Sequence, residues 1–458
     1  MIHFLADPPD PVGVPRSRDA GWIERWLWVF IFSFALDYRS SSSEGGGLDQ
    51  LFFLALCFAS FLAIAWIGRR FLLAGPGAWL IAFWSLFLGY MLANSFLQGV
   101  MPGRSLRVIL PLVFCLFGMV ASHIAGCAGI RPAAIVRPLL IAACVNILWR
   151  IINGFLFQSA TIETVRFEVQ SPANSWLAAW IGCSILLRSR FHWGSIVACG
   201  VLFIGIFITV TRSLFFPVIT SALVTALCFM LAVGWKQYVW TVAGRRLLPV
   251  GVIVGFVLMA LGIAAMVEPL MIERWNERLF HNASAQNLSA DISYLTRRAE
   301  ADAIVEILDK NPIRYVNGMG VGCSYYWHPK YLTEIWMVLP KKDTEVNDIW
   351  FAGHSVWTYG LLSGGVIALF AYVVLFAWTV ALGFISARAN ASDPGPDQWL
   401  AFLPIVATFC LLSETFTANP FQERLAGILF GIMAGLPQAF MVRASWIHTR
   451  SPNPAFTH

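Results

Sequence analysis

Charge is what this 458-residue chain has least of. Asp, Glu, Lys and Arg together make up 12%, against about 25% in soluble domains, and the deficit is spread along most of the sequence rather than held in one anchor. Nine cysteines are present, mostly inside apolar runs and without CxxC or Cys/His spacing, which excludes a disulfide framework or a structural zinc site as the organising principle. Residues 1–20 hold charges and prolines but no apolar core before a cleavage site, so no cleavable signal peptide is expected. No Lys-Ser or Lys-Thr follows a glycine-rich turn, no HxxxH occurs, and no DxD pair is present, which removes the usual sequence signs of nucleotide, zinc or sugar-nucleotide metal chemistry. No cofactor is expected. Neither is a nucleic-acid partner, because the net charge of +6 reads as the Lys and Arg excess of cytoplasmic loops.

What remains is apolar. With 58% hydrophobic residues and a mean hydropathy of +0.69, lipid is the expected solvent. A hydrocarbon core of about 30 Å needs roughly 20 apolar residues per helix. Runs of that kind predict about twelve spans, at 22–36, 51–68, 78–98, 106–126, 135–157, 175–187, 194–210, 213–234, 250–267, 355–384, 400–412 and 425–441. The fold class expected is therefore an all-α polytopic membrane protein. With a cytoplasmic N-terminus, Arg69, Arg70, Arg131, Arg137, Arg188, Arg190, Lys236, Arg245, Arg246 and Arg388 fall on inside connections, and Arg443 and Arg450 on an inside tail. The short outside connections hold only scattered arginines, among them Arg39, Arg104, Arg166, Arg212 and Arg424, and that asymmetry sets both termini in the cytoplasm.

The long polar stretch 268–353 divides the chain into helices 1–9 (1–267), an outer loop, and helices 10–12 with the tail (354–458). It carries too many aromatic residues for a disordered linker. Within it Ile292, Leu295, Ala299, Ala303 and Ile307 recur at helical spacing, with Arg297, Arg298, Glu300, Glu306 and Asp309 between them, and Asn311-Pro312 ends the run. A partly helical cap on the membrane surface is predicted.

Candidate chemistry collects on that outer face. Arg166 sits in a short outer loop. Arg212 lies in a tight turn between apolar segments, where a guanidinium is expensive without a partner and where its planar fork suits phosphate oxygens. Snorkelling to headgroups is the plain alternative for Arg166. Arg297 and Arg298 stand on the cap helix. Gly318, Gly320 and Gly322 form an alternating-glycine stretch that either cradles a phosphate or sugar or is simply a tight turn. His354 opens the tenth span and is suited to proton transfer near neutral pH. Glu414, Glu423 and Arg424 are weaker candidates, for which an ion pair pinning helices together is the alternative.

In order along the chain, Arg166 with Pro172-Ala173-Asn174, then Thr211-Arg212-Ser213, then the Arg297/Arg298 helix running through Asn311-Pro312 into the three glycines, then His354-Ser355 with Tyr359-Gly360-Leu361-Leu362-Ser363-Gly364-Gly365 resemble the O-antigen ligase and polysaccharide polymerase superfamily of bacterial membrane glycosyltransferases. The sequence departs from that pattern at Ser355, where asparagine is usual, and in the longer approach 313–316. The resemblance implies metal-independent transfer of a glycan from undecaprenyl diphosphate to an acceptor glycan or glycolipid at the periplasmic face of the inner membrane. Arg166, Arg212, Arg297 and Arg298 would hold the diphosphate, and His354 with Arg212 would be catalytic. Asn174, the three glycines, Tyr325, Tyr326 and Trp327 would contact the glycan.

A polymerase joining repeat units is the leading expectation, with membrane lipids and export or chain-length machinery as surroundings. The alternatives are a ligase that transfers polymer to lipid A core, a transporter, and a non-catalytic export subunit. No clear internal repeat or midplane charge cluster favours the transporter; Arg150 comes nearest to one.

Overall fold

The computed structural model describes residues 16–38, 47–157, 169–188, 193–209, 211–233, 273, 275–276, 292–338, 349–390, 397–416 and 418–450. Among these, regular structure is helical, apart from one isolated bridge between Tyr325 and Trp350. In chain order the helices are α1 (Ala20–Phe32), α2 (Leu48–Ile67), α3 (Gly77–Leu97), α4 (Pro102–Cys127), α5 (Pro132–Leu156), α6 (Asn174–Leu186), α7 (Trp193–Thr209) and α8 (Phe215–Val233). Then follow α9 (Ile292–Asp309), α10 (Arg314–Asn317), α11 (Pro329–Val338), α12 (Val356–Ala389), α13 (Leu403–Thr415), α14 (Arg424–Gly435) and α15 (Pro437–Arg450).

Among the described residues, eight segments are long and apolar enough to cross a membrane: α2 to α5, α12, and the stretches Arg212–Leu231, Gln398–Thr415 and Arg424–Trp446, the last running through α14 and α15. The protein is thus an all-α, multi-pass membrane protein. α1 and α6, at 13 residues each, and α7, at 17, are shorter than a full crossing. The expected span at 250–267 lies outside the described residues, among which eight of the expected twelve crossings are supported.

Helix association in lipid relies on close backbone approach rather than on the hydrophobic effect. The α4/α14 pair shows how this is reached. Gly427, Gly431 and Gly435 repeat every fourth residue on one face of α14, and a Cβ on each would lie 2.1, 2.1 and 2.5 Å from the carbonyl oxygens of Pro111, Cys115 and Met119 on α4. Gly118 returns the contact, its added Cβ falling 2.7 Å from the Ile428 carbonyl. Pro437 begins the next helix where α14 stops.

The two ends of the bundle differ. At one end Arg70 pairs with Asp19 (2.9 Å) and Arg131 with Asp397 (3.0 Å), Arg188 lies over the Trp399 ring, and Arg443 borders the same cleft as Arg131. At the other end sit α9, α10 and α11. Here α12 departs from helical geometry at Gly365 (φ 64°, ψ −157°). A helix broken at this point leaves the carbonyls of Leu362 and Ser363 without their partners one turn on. They accept instead from the backbone amides of Met319 (2.7 Å) and Gly320 (2.9 Å). Asn94 of α3 donates to the Asn317 carbonyl (2.6 Å), and Tyr90 to the same oxygen (3.2 Å). The segment 314–322 is thereby clamped into the break.

Gly365 has a backbone conformation that is almost confined to glycine, and a Cβ there would lie 2.2 Å from the Val316 carbonyl oxygen. Gly365→Ala should cost about 1–3 kcal/mol in backbone strain alone. Thermal unfolding of the detergent-solubilised protein should show a lower midpoint; an unchanged midpoint would mean that the clamp contributes nothing.

Candidate functional site

The cap helix α9 owes its place to an apolar stripe. Leu295, Ala299, Ala303, Ile304 and Leu308 are buried, packing towards α11 on one side and α12 on the other. Glu300 interrupts that stripe. It was expected among the polar residues of the helix, yet it is 1% exposed, and a buried carboxylate persists only when its oxygens are satisfied. Three donors do this. Oε2 accepts the backbone N–H of His354 (2.9 Å) and faces His354 Nδ1 at 2.8 Å; Oε1 accepts the Thr358 hydroxyl (2.9 Å).

Burial acts to raise the Glu300 carboxyl, but the hydrogen bonds and charge of His354 outweigh it, leaving the group below its ordinary value. Gly353 makes the approach possible. A Cβ there would lie 2.4 Å from Tyr359 Cβ and 2.7 Å from Glu300 Oε1. Its carbonyl accepts from Asn419 (3.1 Å) and from Gln422, so the turn before α14 also holds His354 in place.

Around this pair lies an aromatic wall. Trp350 has its ring centroid 4.9 Å from that of His354 and stacks on Trp327 at 4.9 Å with 21° between planes. Paired backbone bonds with Tyr325 (3.0 and 2.9 Å) hold Trp350 there. His354 itself keeps 38% of its side chain exposed. Arg104, exposed at the start of α4, places its guanidinium 4.3 Å from the Phe351 ring, three residues before the histidine.

The sequence candidates separate on inspection. Arg166 lies outside the described residues. Arg212 opens a 3₁₀ turn ahead of α8 and is half-buried and engaged. Arg297 is three residues before Glu300 and therefore on the same side of α9; it too is half-buried and engaged. Arg298 is exposed and turned towards Tyr294 (3.5 Å) and the Tyr331 ring (5.8 Å).

Gly318, Gly320 and Gly322 do have left-handed backbones, with φ of 71°, 88° and 84°. They do not form an open cradle. Added Cβ atoms would meet Gly364, Ser95 and Arg104 backbone atoms at 2.4, 2.7 and 2.8 Å. The amides of Val321 and Gly322 already donate to Ser95 Oγ (2.7 Å) and Tyr359 Oη (3.0 Å), as Met319 and Gly320 do to α12. The plain tight turn, packed against three helices, replaces the glycan contact.

Asn174 is 2% exposed and directed towards Gly205 of α7, and Tyr325 is 1% exposed, so neither offers a face to a glycan. Tyr326, at 58% exposure, and Trp327 remain. Glu414 accepts from Ser175. Arg424 donates to Gln50, and Glu423 pairs with the buried Arg150 (2.9 Å); these contacts tie helices together. Among the described residues no three His, Cys, Asp or Glu side chains converge as a metal site.

Sequence reasoning passed over Glu300, Trp350 and Thr358. The signal for Glu300 was its neighbours, Ala299 before it and Ala303 one turn later, which place it beside the buried stripe.

Because folding depresses the Glu300 carboxyl, its contribution to stability is complete above the ordinary value of 4.5 and is lost as pH falls through the folded value. Melting curves from neutral pH down to about pH 3 should show wild type losing stability more steeply than Glu300→Gln. Parallel curves would mean that the carboxyl is not ionised in the fold. Comparison with protein-family models and with curated proteins finds no significant match to the chain.

Proposed function

We propose that the chain is a glycosyltransferase of the O-antigen ligase and polysaccharide polymerase type, in which a glycan passes from a lipid diphosphate to an acceptor hydroxyl at the outer face of the bacterial inner membrane. The observation that carries this reading is the partly exposed His354, backed by the buried Glu300, on the bundle end that bears the cap. The opposite end holds Arg70, Arg131, Arg188 and Arg443, as a cytoplasmic face does. Both termini are then cytoplasmic.

In the reaction, His354 Nε2 takes the proton of the acceptor hydroxyl. The freed oxygen bonds to the anomeric carbon while the bond from that carbon to the diphosphate breaks. The lipid diphosphate leaves with the electron pair, and arginines meet its charge in a water-poor setting, where such stabilisation is strongest. Arg212 and Arg297 fill this role, which the sequence resemblance also assigns to Arg166; Arg298, turned to the tyrosines, does not. Tyr326 and Trp327 offer rings for sugar stacking. Of the two acceptors, another lipid-linked repeat unit is preferred to lipid A core.

Surface glycan length, read on gels from cells carrying single variants, tests this. His354→Ala and Arg212→Ala should reduce long polymer to single repeat units, and Arg297→Ala should do so more than Arg298→Ala, while all four insert at wild-type levels. Undiminished polymer in His354→Ala would contradict the base assignment.

A further inference from the structure

Glu300 makes a chemical statement about His354. An ionised carboxylate has only lone pairs to offer; three groups reach this one at hydrogen-bond distance, and the Tyr325 hydroxyl, itself a donor, stands beside it. The His354 backbone amide and the Thr358 hydroxyl are donors, at 2.9 Å each. The remaining contact, Nδ1 to Oε2 at 2.8 Å, can be favourable only if Nδ1 carries a hydrogen. A neutral imidazole bearing its hydrogen on Nδ1 has a bare lone pair on Nε2.

We infer that Glu300 is a positioning residue, whose carboxylate holds His354 in the Nδ1–H tautomer and turns Nε2 towards the reactant. The inference rests on the proposed reaction for what Nε2 does, but not for which nitrogen bears the hydrogen.

The surroundings leave this arrangement little freedom. Glu300 is fixed from two sides, by α9 through its own backbone and by the start of α12 through residues 354 and 358. Trp350, 4.9 Å from the imidazole, limits rotation of the ring. Other ionisable or charged groups near the pair are few. Tyr359 on α12 has its proton committed to the Phe351 carbonyl (2.6 Å). Tyr325, in the cap loop, is kept a neutral hydroxyl by burial and by the Glu300 charge. Arg297 shares the helix face with Glu300, Arg104 lies over Phe351, and the turn before α14 contributes only the neutral Asn419 and Gln422 near Gly353.

Glutamine at position 300 keeps the shape and can leave its oxygen in the Oε2 place, where it still accepts from the backbone amide and from Nδ1–H, while its N–H₂ faces the Thr358 hydroxyl, which can accept. Leucine at position 300 offers no acceptor at all, and the ring then loses the contact that favours a hydrogen on Nδ1. Loss of a carboxylate that orients a catalytic histidine costs up to about 10⁴-fold in turnover in the best-studied serine protease case.

The test is nitrogen-15 NMR of the full chain in nanodiscs with labelled histidine, the His354 signals being assigned as those missing from His354→Ala. Wild type should show a protonated Nδ1 and a bare Nε2 at pH values where the ring is neutral. In Glu300→Leu that pattern should be lost, and where transfer is measurable kcat should fall by about 10²-fold or more with KM within about twofold. Thr358→Val and Glu300→Gln, which each leave an oxygen to face Nδ1, should keep the wild-type tautomer, and they serve as the further variants if Glu300→Leu does not fold. An Nε2–H tautomer in wild type, or an unchanged one in Glu300→Leu, overturns the inference. A tautomer that changes as expected in a protein without transferase activity supports the positioning role and refutes the reaction.

Discussion

At Gly365 the backbone of α12 leaves the helix, and two carbonyls that would have bonded within it accept the amides of the 314–322 segment instead. In lipid an unpaired carbonyl costs several kcal/mol, so such a break is tolerable only where another backbone completes it. Each side therefore depends on the other. The glycines at 318, 320 and 322 let the cap segment enter against α12, α3 and α4, and the entering amides make the break in α12 sustainable. The first turns of α12 and the cap helix α9 are then parts of one rigid assembly, which is what brings Glu300 and His354 within 2.8 Å although 54 residues separate them.

A second set of polar contacts keeps that assembly on the bundle. Asn419 and Gln422 hold the Gly353 carbonyl, and the adjacent Glu423 and Arg424 reach Arg150 on α5 and Gln50 on α2. Arg150 also donates to the Gln170 carbonyl (2.5 Å). Buried charges of this kind add little net stability, but removing one partner is costly. Their effect is to make the position of His354 depend on four helices at once. A base must sit within hydrogen-bond reach of its substrate proton, and a loop alone would not hold it there.

The membrane character was plain in the sequence because hydropathy over about 20 residues is a strong signal. Length was less legible: α1, α6 and α7 are apolar but shorter than the eight segments of crossing length, and apolarity by itself does not separate a crossing helix from a helix buried among others. The seam of Gly427, Gly431 and Gly435 escaped a hydropathy reading, which weighs how apolar a residue is and not how small. The alternating glycines were noticed correctly as sites of close approach, but what approaches them is backbone rather than ligand, and only the tertiary packing could decide that. His354 stood out as a candidate from its place at the mouth of a span. Its partner did not, since a carboxylate one position outside an apolar stripe looks solvated until the helix is docked.

The central claim is that the cap end of this bundle performs glycosyl transfer from a lipid diphosphate. Purified protein in liposomes, supplied with a lipid diphosphate-linked oligosaccharide and a chelator, tests it through the mass of the products. Longer lipid-linked glycans, appearing together with an equivalent amount of freed lipid diphosphate, are the predicted result. Donor recovered intact, or merely moved from one leaflet to the other, would contradict it.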